Sequence, residues 1–269
     1  MKITKLLALI LAIVLSLGAM TSCDVVYETA ADKILETADK KLGEAPYKMD
    51  IEMSFSSKNS EINEALSMFN SSEIEMLVDG SNIAMNMEIE TEIMNEEVGI
   101  SMEYIIIDSM AYAKASVEVQ GLSQTLKQKA KMTEEDMADF MNENSSSYGT
   151  NHSDFDNKSI KFENGKFIIT CTEISKSGED ALKSLIEDQL GTSIDVEVED
   201  IEVVFIASGL KYESMKISCR YVIDIGGTEV TINYVAETSY EYGDEYKVEE
   251  PDNKNSYAEV DFDDLMSDF

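Results

Sequence analysis

The sequence predicts an α+β protein dominated by an antiparallel sheet. Three observations lead there. Between residues 47 and 242, segment after segment alternates apolar and polar side chains with a period of two, the pattern of strands with one apolar and one wet face. Asp79-Gly80, Asn164-Gly165 and Gly226-Gly227 fall between such segments and are hairpin signals. The alternation gives way to helical spacing at residues 26–43 and in "SGEDALKSLIEDQLG", which places a few amphipathic helices beside the sheet.

In chain order, Lys2 and Lys5 precede an uncharged run, Leu6 to Met20. Its fifteen residues reach about 22 Å as a helix, short of the about 20 residues that span a bilayer but suited to the apolar core of a secretory signal. The run closes on Met20-Thr21-Ser22-Cys23, which resembles the lipobox of a bacterial lipoprotein, with Met20 where Leu is usual. The resemblance implies a signal peptide over residues 1–22, lipidation of Cys23, and a mature chain held on the extracytoplasmic face of a membrane. A diacylglyceryl group supplies the two chains that durable anchoring needs.

Residues 26–43 form the first expected helix, with Val26, Ala30, Ile34, Ala38 and Leu42 four apart and Leu35 beside them; Gly43 and Pro46 stop it. "YKMDIEMSF" then sets Tyr47, Met49, Ile51, Met53 and Phe55 against Lys48, Asp50 and Glu52. "SEIEMLV" and "NIAMNMEIETEI" repeat the pattern through Ile74, Met76, Val78, Ile83, Met85, Met87 and Ile89, and "VGISMEYIIID" and "MAYAKASV" complete a meander. Residues 121–147 lose the alternation; Thr133 and Asp136 make a start like a capping box, with Met137, Phe140 and Met141 on the apolar side. "NENSSSYGTNHSDFDNKS" is expected to be a polar loop, an insertion at 142–158 or a boundary between halves. Strands resume in "IKFENGKFIIT", "DVEVEDIEVVFIA", "LKYESMKISCRYVID" and "EVTINYVAETSYEY"; in the last, Val230, Ile232, Tyr234, Ala236, Thr238, Tyr240 and Tyr242 share a face. The acidic end, residues 258–269, is expected to fray after Tyr257.

The chain carries 54 acids against 21 bases, a formal charge of −33. Loss of residues 1–22 removes Lys2 and Lys5 and no acid, leaving −35 over 247 residues. No basic patch offsets this, so nucleic acid is excluded as a partner. Acidic runs such as Glu134-Glu135-Asp136 and Asp261 to Asp264 are expected to be solvated faces. There is no EF-hand loop, and no nucleophile elbow, zinc-protease, P-loop, dinucleotide or C-x-x-C pattern. The one histidine, His152, stands without metal-ligand spacing around it. No catalytic residue, metal or cofactor is expected. Beyond Cys23, Cys171 and Cys219 remain, each in phase with apolar strand neighbours. An oxidising compartment permits a disulfide between them if their Cα atoms lie within about 7 Å; two free buried thiols are the alternative.

The order of helix, long meander, helical insertion, further strands and late "YKVEEP" behind a lipobox resembles the LolA-like superfamily of extracytoplasmic lipoproteins. That superfamily includes the LppX and LprG glycolipid carriers, and there is also likeness to poorly characterised lipoproteins of Firmicutes. "ADKILETADKKLGEAPYKMDIEMSF", "LKYESMKISCRYVIDIGGTEVTINY" and "YKVEEPDN" carry the likeness, which covers residues 26–257. It implies one domain over residues 23–257: a strongly curved antiparallel sheet, an unclosed barrel, wrapped over helices. The apolar cavity between sheet and helices would take acyl chains. No residue role transfers from it. From the residues themselves, Met49, Met53, Met76, Met85, Met87 and Met102 are candidate cavity residues, since methionine suits surfaces that adapt to varied apolar ligands. The expectation is therefore a lipid-anchored protein that binds an apolar ligand. The alternative is a non-catalytic surface or envelope-sensing module, in which the same methionines simply fill a core.

Overall fold

The computed structural model describes residues 30–67, 70, 72–93, 96–133, 136, 155–179, 195–224, 229–262 and 264–265. Cys23, the signal segment, Met137, Phe140, Met141, His152 and the expected helix after residue 179 lie outside them. The element order is α1 (Ala30–Leu42), β1 (Tyr47–Ser56), α2 (Ser60–Ser67), β2 (Ser72–Asp79), β3 (Asn82–Ile93), β4 (Glu96–Ile107), β5 (Met110–Val119), β6 (Leu122–Lys131), β7 (Phe155–Glu163), β8 (Lys166–Ile174), β9 (Asp195–Ser208), β10 (Lys211–Asp224), β11 (Glu229–Tyr242) and β12 (Ala258–Glu259). All twelve strands belong to one unclosed sheet, ordered β12-β6-β5-β4-β3-β2-β1-β11-β10-β9-β8-β7. Every pairing whose register is described is antiparallel except β12 with β6. The fold is thus α+β but strongly sheet-dominated. No described helix is long and apolar enough to cross a membrane.

The chain divides into two compact units: Met1–Lys41 with Ser54–Asn70 and Asn142–Glu237, and Leu42–Met53 with Ser71–Met141 and Thr238–Phe269. In the first, α1 buries Ala31, Leu35 and Ala38. The buried stripe is turned one residue from the expected one: Ala30 is exposed and Ile34 half-buried. Polar contacts fix this rotation. The Tyr212 hydroxyl donates to Asp39 Oδ1 at 2.6 Å, and Lys158 Nζ lies 3.1 Å from Asp32 Oδ1 with both side chains nearly buried. Asp32 in the first turn also complements the helix dipole. Phe55, Phe155, Phe205 and Tyr221 fill the unit. The helix α2, which the sequence pattern did not suggest, sits between β1 and β2 and buries Ile62 and Leu66. Asn70 then stands in for a strand neighbour, accepting from Phe55 N and donating to Phe55 O at 2.9 Å.

In the second unit the meander has the expected faces, with three corrections. Residues 122–131, expected to lose strand character, form β6, paired with β5 from Val119↔Leu122 to Met110↔Lys131. Its alternation is diluted by Gln124 and Gln128, so the two-residue turn at Gln120 (φ 53°) and Gly121 (φ 76°), of the kind that suits hairpin twist, sets the strand. Next, the loop expected at 142–158 ends early, because β7 in the first unit begins at the fully buried Phe155. Finally, the end of the chain does not fray at Tyr257. β12 pairs in parallel with Gln128 and Lys129, Val260 N donates to Lys129 O at 3.0 Å, and Leu265 is wholly buried. The capping box is present: Thr133 N donates to Asp136 Oδ2 at 2.7 Å, and Asp136 N donates to Thr133 Oγ1 at 3.1 Å.

Leu35→Ala should cost about 2–5 kcal/mol of stability through the cavity it leaves, whereas Leu122→Ala, at a side chain that is 77% exposed, should stay within about 0.5 kcal/mol. Urea unfolding monitored by circular dichroism, with unchanged m-values, is the check.

Candidate ligand-binding face

The six candidate methionines all belong to the second unit, and strand register brings five of them together. Met49 lies opposite Met76 and Met76 opposite Met85; Met85 faces Tyr104, and Tyr104 faces Ala113. The adjacent row runs Ile51, Ile74, Met87, Met102, Ala115 and Leu126. Directly opposed side chains have Cβ atoms about 4.5–5.5 Å apart, so these form two neighbouring ribbons on one side of the sheet. Flanking rows are also apolar: Tyr47, Val78, Ile83, Ile106, Ala111 and Ala130 on one side, and Ile89, Ile100 and Val117 on the other. Met53 lies beyond the part of β1 paired with β2, on the side of Met49 by strand alternation.

Burial divides the group. Met49 and Met53 are buried, at 2% and 7% exposure. Met76, Met85, Met87 and Met102 are only half-buried. The face opens towards β5 and β6, where Val117, Leu126 and Leu122 become exposed. Its other end is closed by the C-terminal segment: Phe262 packs against Ile106, Ala111 and Met132, and Leu265, Val260 and Phe262 pack around Ala113 and Ala130, with Tyr104 in both clusters. Burial raises the Tyr104 phenol well above its ordinary range, so this end is unionised. Sequence reasoning missed Tyr104 and the closing residues; Val260 and Phe262, two apart within an acidic tail, were the available signal.

The reverse side of the same strands is acidic and wet. Lys48 Nζ lies 3.0 Å from Asp50 Oδ1 and 2.8 Å from Glu75 Oε2, and Lys114 Nζ lies 3.3 Å from Glu103 Oε2. Where that side is apolar, Ile105 and Tyr112 are covered by Val248 and Tyr257, with the Tyr112 and Tyr257 rings edge-on at 5.6 Å. Among the described residues no group of three or more His, Cys, Asp or Glu is placed to hold a metal ion.

Cys171 and Cys219 belong to the other unit and are both buried free thiols. The disulfide weighed from the sequence is not formed, and register explains why. Cys171 of β8 faces Val203 of β9, and Val203 faces Ile217 of β10, two residues short of Cys219. The cysteines are therefore two strands apart, about 10 Å across the sheet before any offset along it, beyond the reach of a disulfide. Burial pushes the Cys171 thiol up to about 12, with Asp32 and Asp156 adding and Lys158 opposing; burial pushes Cys219 to about 11.

No family model matches the chain, and no curated protein matches it. Among solved structures, an N-terminal dehydratase from the difficidin assembly line aligns with 9% identity and a TM-score of 0.15, covering 79% of this chain and 83% of that one. The dehydratase domain of the CurJ module of curacin polyketide synthase aligns with 10% identity and a TM-score of 0.14, covering 81% and 86%. Likenesses at that level carry no argument about fold or activity.

The raised thiols have a consequence for stability. Below pH about 8.5 they are protonated in both folded and unfolded chains. Above it the unfolded thiols ionise while the folded ones do not, so stability falls with rising pH by about 1.4 kcal/mol per unit for each group. Denaturant midpoints should therefore drop between pH 9 and 11, by less in a Cys171→Ala/Cys219→Ala variant compared with its own value at pH 7. Native thiols should stay unlabelled by a thiol reagent at pH 8 and react only on unfolding.

Proposed function

We infer that this protein is a lipid-anchored, extracytoplasmic binding protein whose methionine-lined sheet face receives an apolar ligand such as a lipid acyl chain. One observation carries this: five methionines from four adjacent strands, Met49, Met76, Met85, Met87 and Met102, stand in two neighbouring rows, and four of them are half-buried. A core that served packing alone would favour β-branched residues in such strands; methionine is flexible and polarizable and adapts to chains of varied shape. Burial of an acyl chain against such a face supplies about 25 cal/mol per Å² of apolar surface. Lipidation at Cys23, on the residues that resemble a lipobox, provides the anchor. Curvature of the sheet over helices, in the LolA-like manner, belongs to the same proposal. The function is binding without catalysis and requires no cofactor.

A second reading, a surface module with a filled core, is supported by the exposed apolar rim at Val117, Leu122 and Leu126, which suits a protein partner. Native mass spectrometry of residues 23–269 carrying Cys23→Ser, purified without detergent, separates the two. A discrete extra mass removed by organic solvent is the expected result for the binding protein. A bare polypeptide that also leaves fluorescent fatty acid unbound favours the module. Met87→Ala should change fatty-acid uptake severalfold at a stability cost of about 1–3 kcal/mol; unchanged uptake across Met76→Ala, Met87→Ala and Met102→Ala would count against the methionine face.

A further inference from the structure

The open edge of β6 has an unusual composition for this chain. Residues 122–126, Leu-Ser-Gln-Thr-Leu, contain no charge and no proline, and all five are exposed. Sheet edges are ordinarily guarded by charges, prolines or irregular backbone. The opposite edge, β7, follows that rule: it carries Asp156, Lys158, Lys161 and Glu163 and a break at Asn157, whose φ is 54°. On β6, by contrast, the described residues cover only Gln128 and Lys129, through β12. Lys129 O accepts from Val260 N on that side, so the backbone groups of every second residue, Ser123, Thr125 and Lys127, point outward as well.

We propose that the uncharged edge of β6 pairs with the same edge of a second copy, antiparallel and centred on Gln124. This register is self-complementary. It sets Gln124 opposite Gln124 and Leu122 opposite the second copy's Leu126, burying both exposed leucines beside Val117. Ser123 and Thr125, both with outward backbone groups, become the hydrogen-bonded pair, as an antiparallel ladder requires. Charge agrees with the register. Lys127, Lys129 and Lys131 are the only charged residues of β6, so two chains of net charge −33 meet where neither presents an acid at the edge. Lys127 falls opposite the second copy's Gly121 rather than another lysine. Its Cα lies on the order of 12 Å from that of the second copy's Glu118, on the same side of the sheet, within reach of two reciprocal ion pairs. The pairing occupies Leu122 to Leu126, between the Gln120-Gly121 turn and the start of the β12 pairing at Gln128.

Sedimentation velocity of residues 23–269 carrying Cys23→Ser, over a concentration series, should show reversible dimer. Thr125→Pro removes an outward N–H that β5 does not use and should give monomer with unchanged circular dichroism. In a separate variant, Gln124→Cys should form an interchain disulfide under mild oxidation, because the residue faces itself. Leu122→Cys should not, because its counterpart lies four residues away, about 13 Å along the strand. A protein monomeric throughout would overturn the proposal and leave the edge to a strand from another protein. So would a dimer indifferent to Thr125→Pro, or cross-linking at Leu122→Cys in preference to Gln124→Cys.

Discussion

The register of the β1–β6 meander is the constraint on which the rest of its unit depends. Because side chains alternate along a strand, a one-residue slip in any pairing would move that strand's apolar set to the wet side. The observed register keeps Tyr47, Val78, Ile83, Ile106, Ala111 and Ala130 in one row and the methionines in the next two rows, the first of which also holds Tyr104. Tight turns hold it: Gly80 at φ 65°, Asp108 and Ser109 at 50° and 63°, and Gln120 and Gly121 at 53° and 76°. Each leaves no slack between consecutive strands, so the register of one hairpin determines the next.

The other unit is held by a different balance. Its strands surround bulky aromatic side chains, with Phe55 and Tyr234 ring centres 5.0 Å apart and Phe205 and Tyr212 5.8 Å apart. Tyr212 then reaches past this core to α1, giving Leu35 O and Asp39 a donor. The Asp32–Lys158 pair does the same at the helix start. A nearly buried ion pair adds little net stability compared with an apolar pair of equal size; its effect here is orientation, since it aligns one turn of α1 with β7. With both thiols unpaired, no crosslink supplements this packing.

Charge shapes the surface rather than the fold. Strands carry many of the acids, and several lysines pair with them, as in Lys48 with Asp50 and Glu75, Lys166 with Glu213 and Lys216 with Glu237. Exposed pairs of this kind contribute at most about 1 kcal/mol each. On β6 the acidic C-terminal segment docks through backbone pairing at Gln128 and Lys129. There Val260, Phe262 and Leu265 bring apolar contacts that let an acidic tail dock.

Much of the strand inventory was legible in the sequence, because a period of two with one apolar face has few other physical solutions. The faces of β1–β5 and of β11, the Asn164-Gly165 hairpin and the Thr133–Asp136 cap all follow from local patterns. What escaped was whatever depends on a neighbour. β6 is a strand because β5 pairs with it, not because of its own diluted alternation. Phe155 is buried because β8 lies beside it, although its flanks read as loop. The final segment is ordered because β6 offers both a backbone edge and an apolar face. The same distinction governs the candidate site and the cysteines. Local alternation determines which side of its own strand a methionine occupies and that each thiol is buried. Only the pairing of strands distant in sequence decides that five methionines become neighbours and that two cysteines stay a strand too far apart to join.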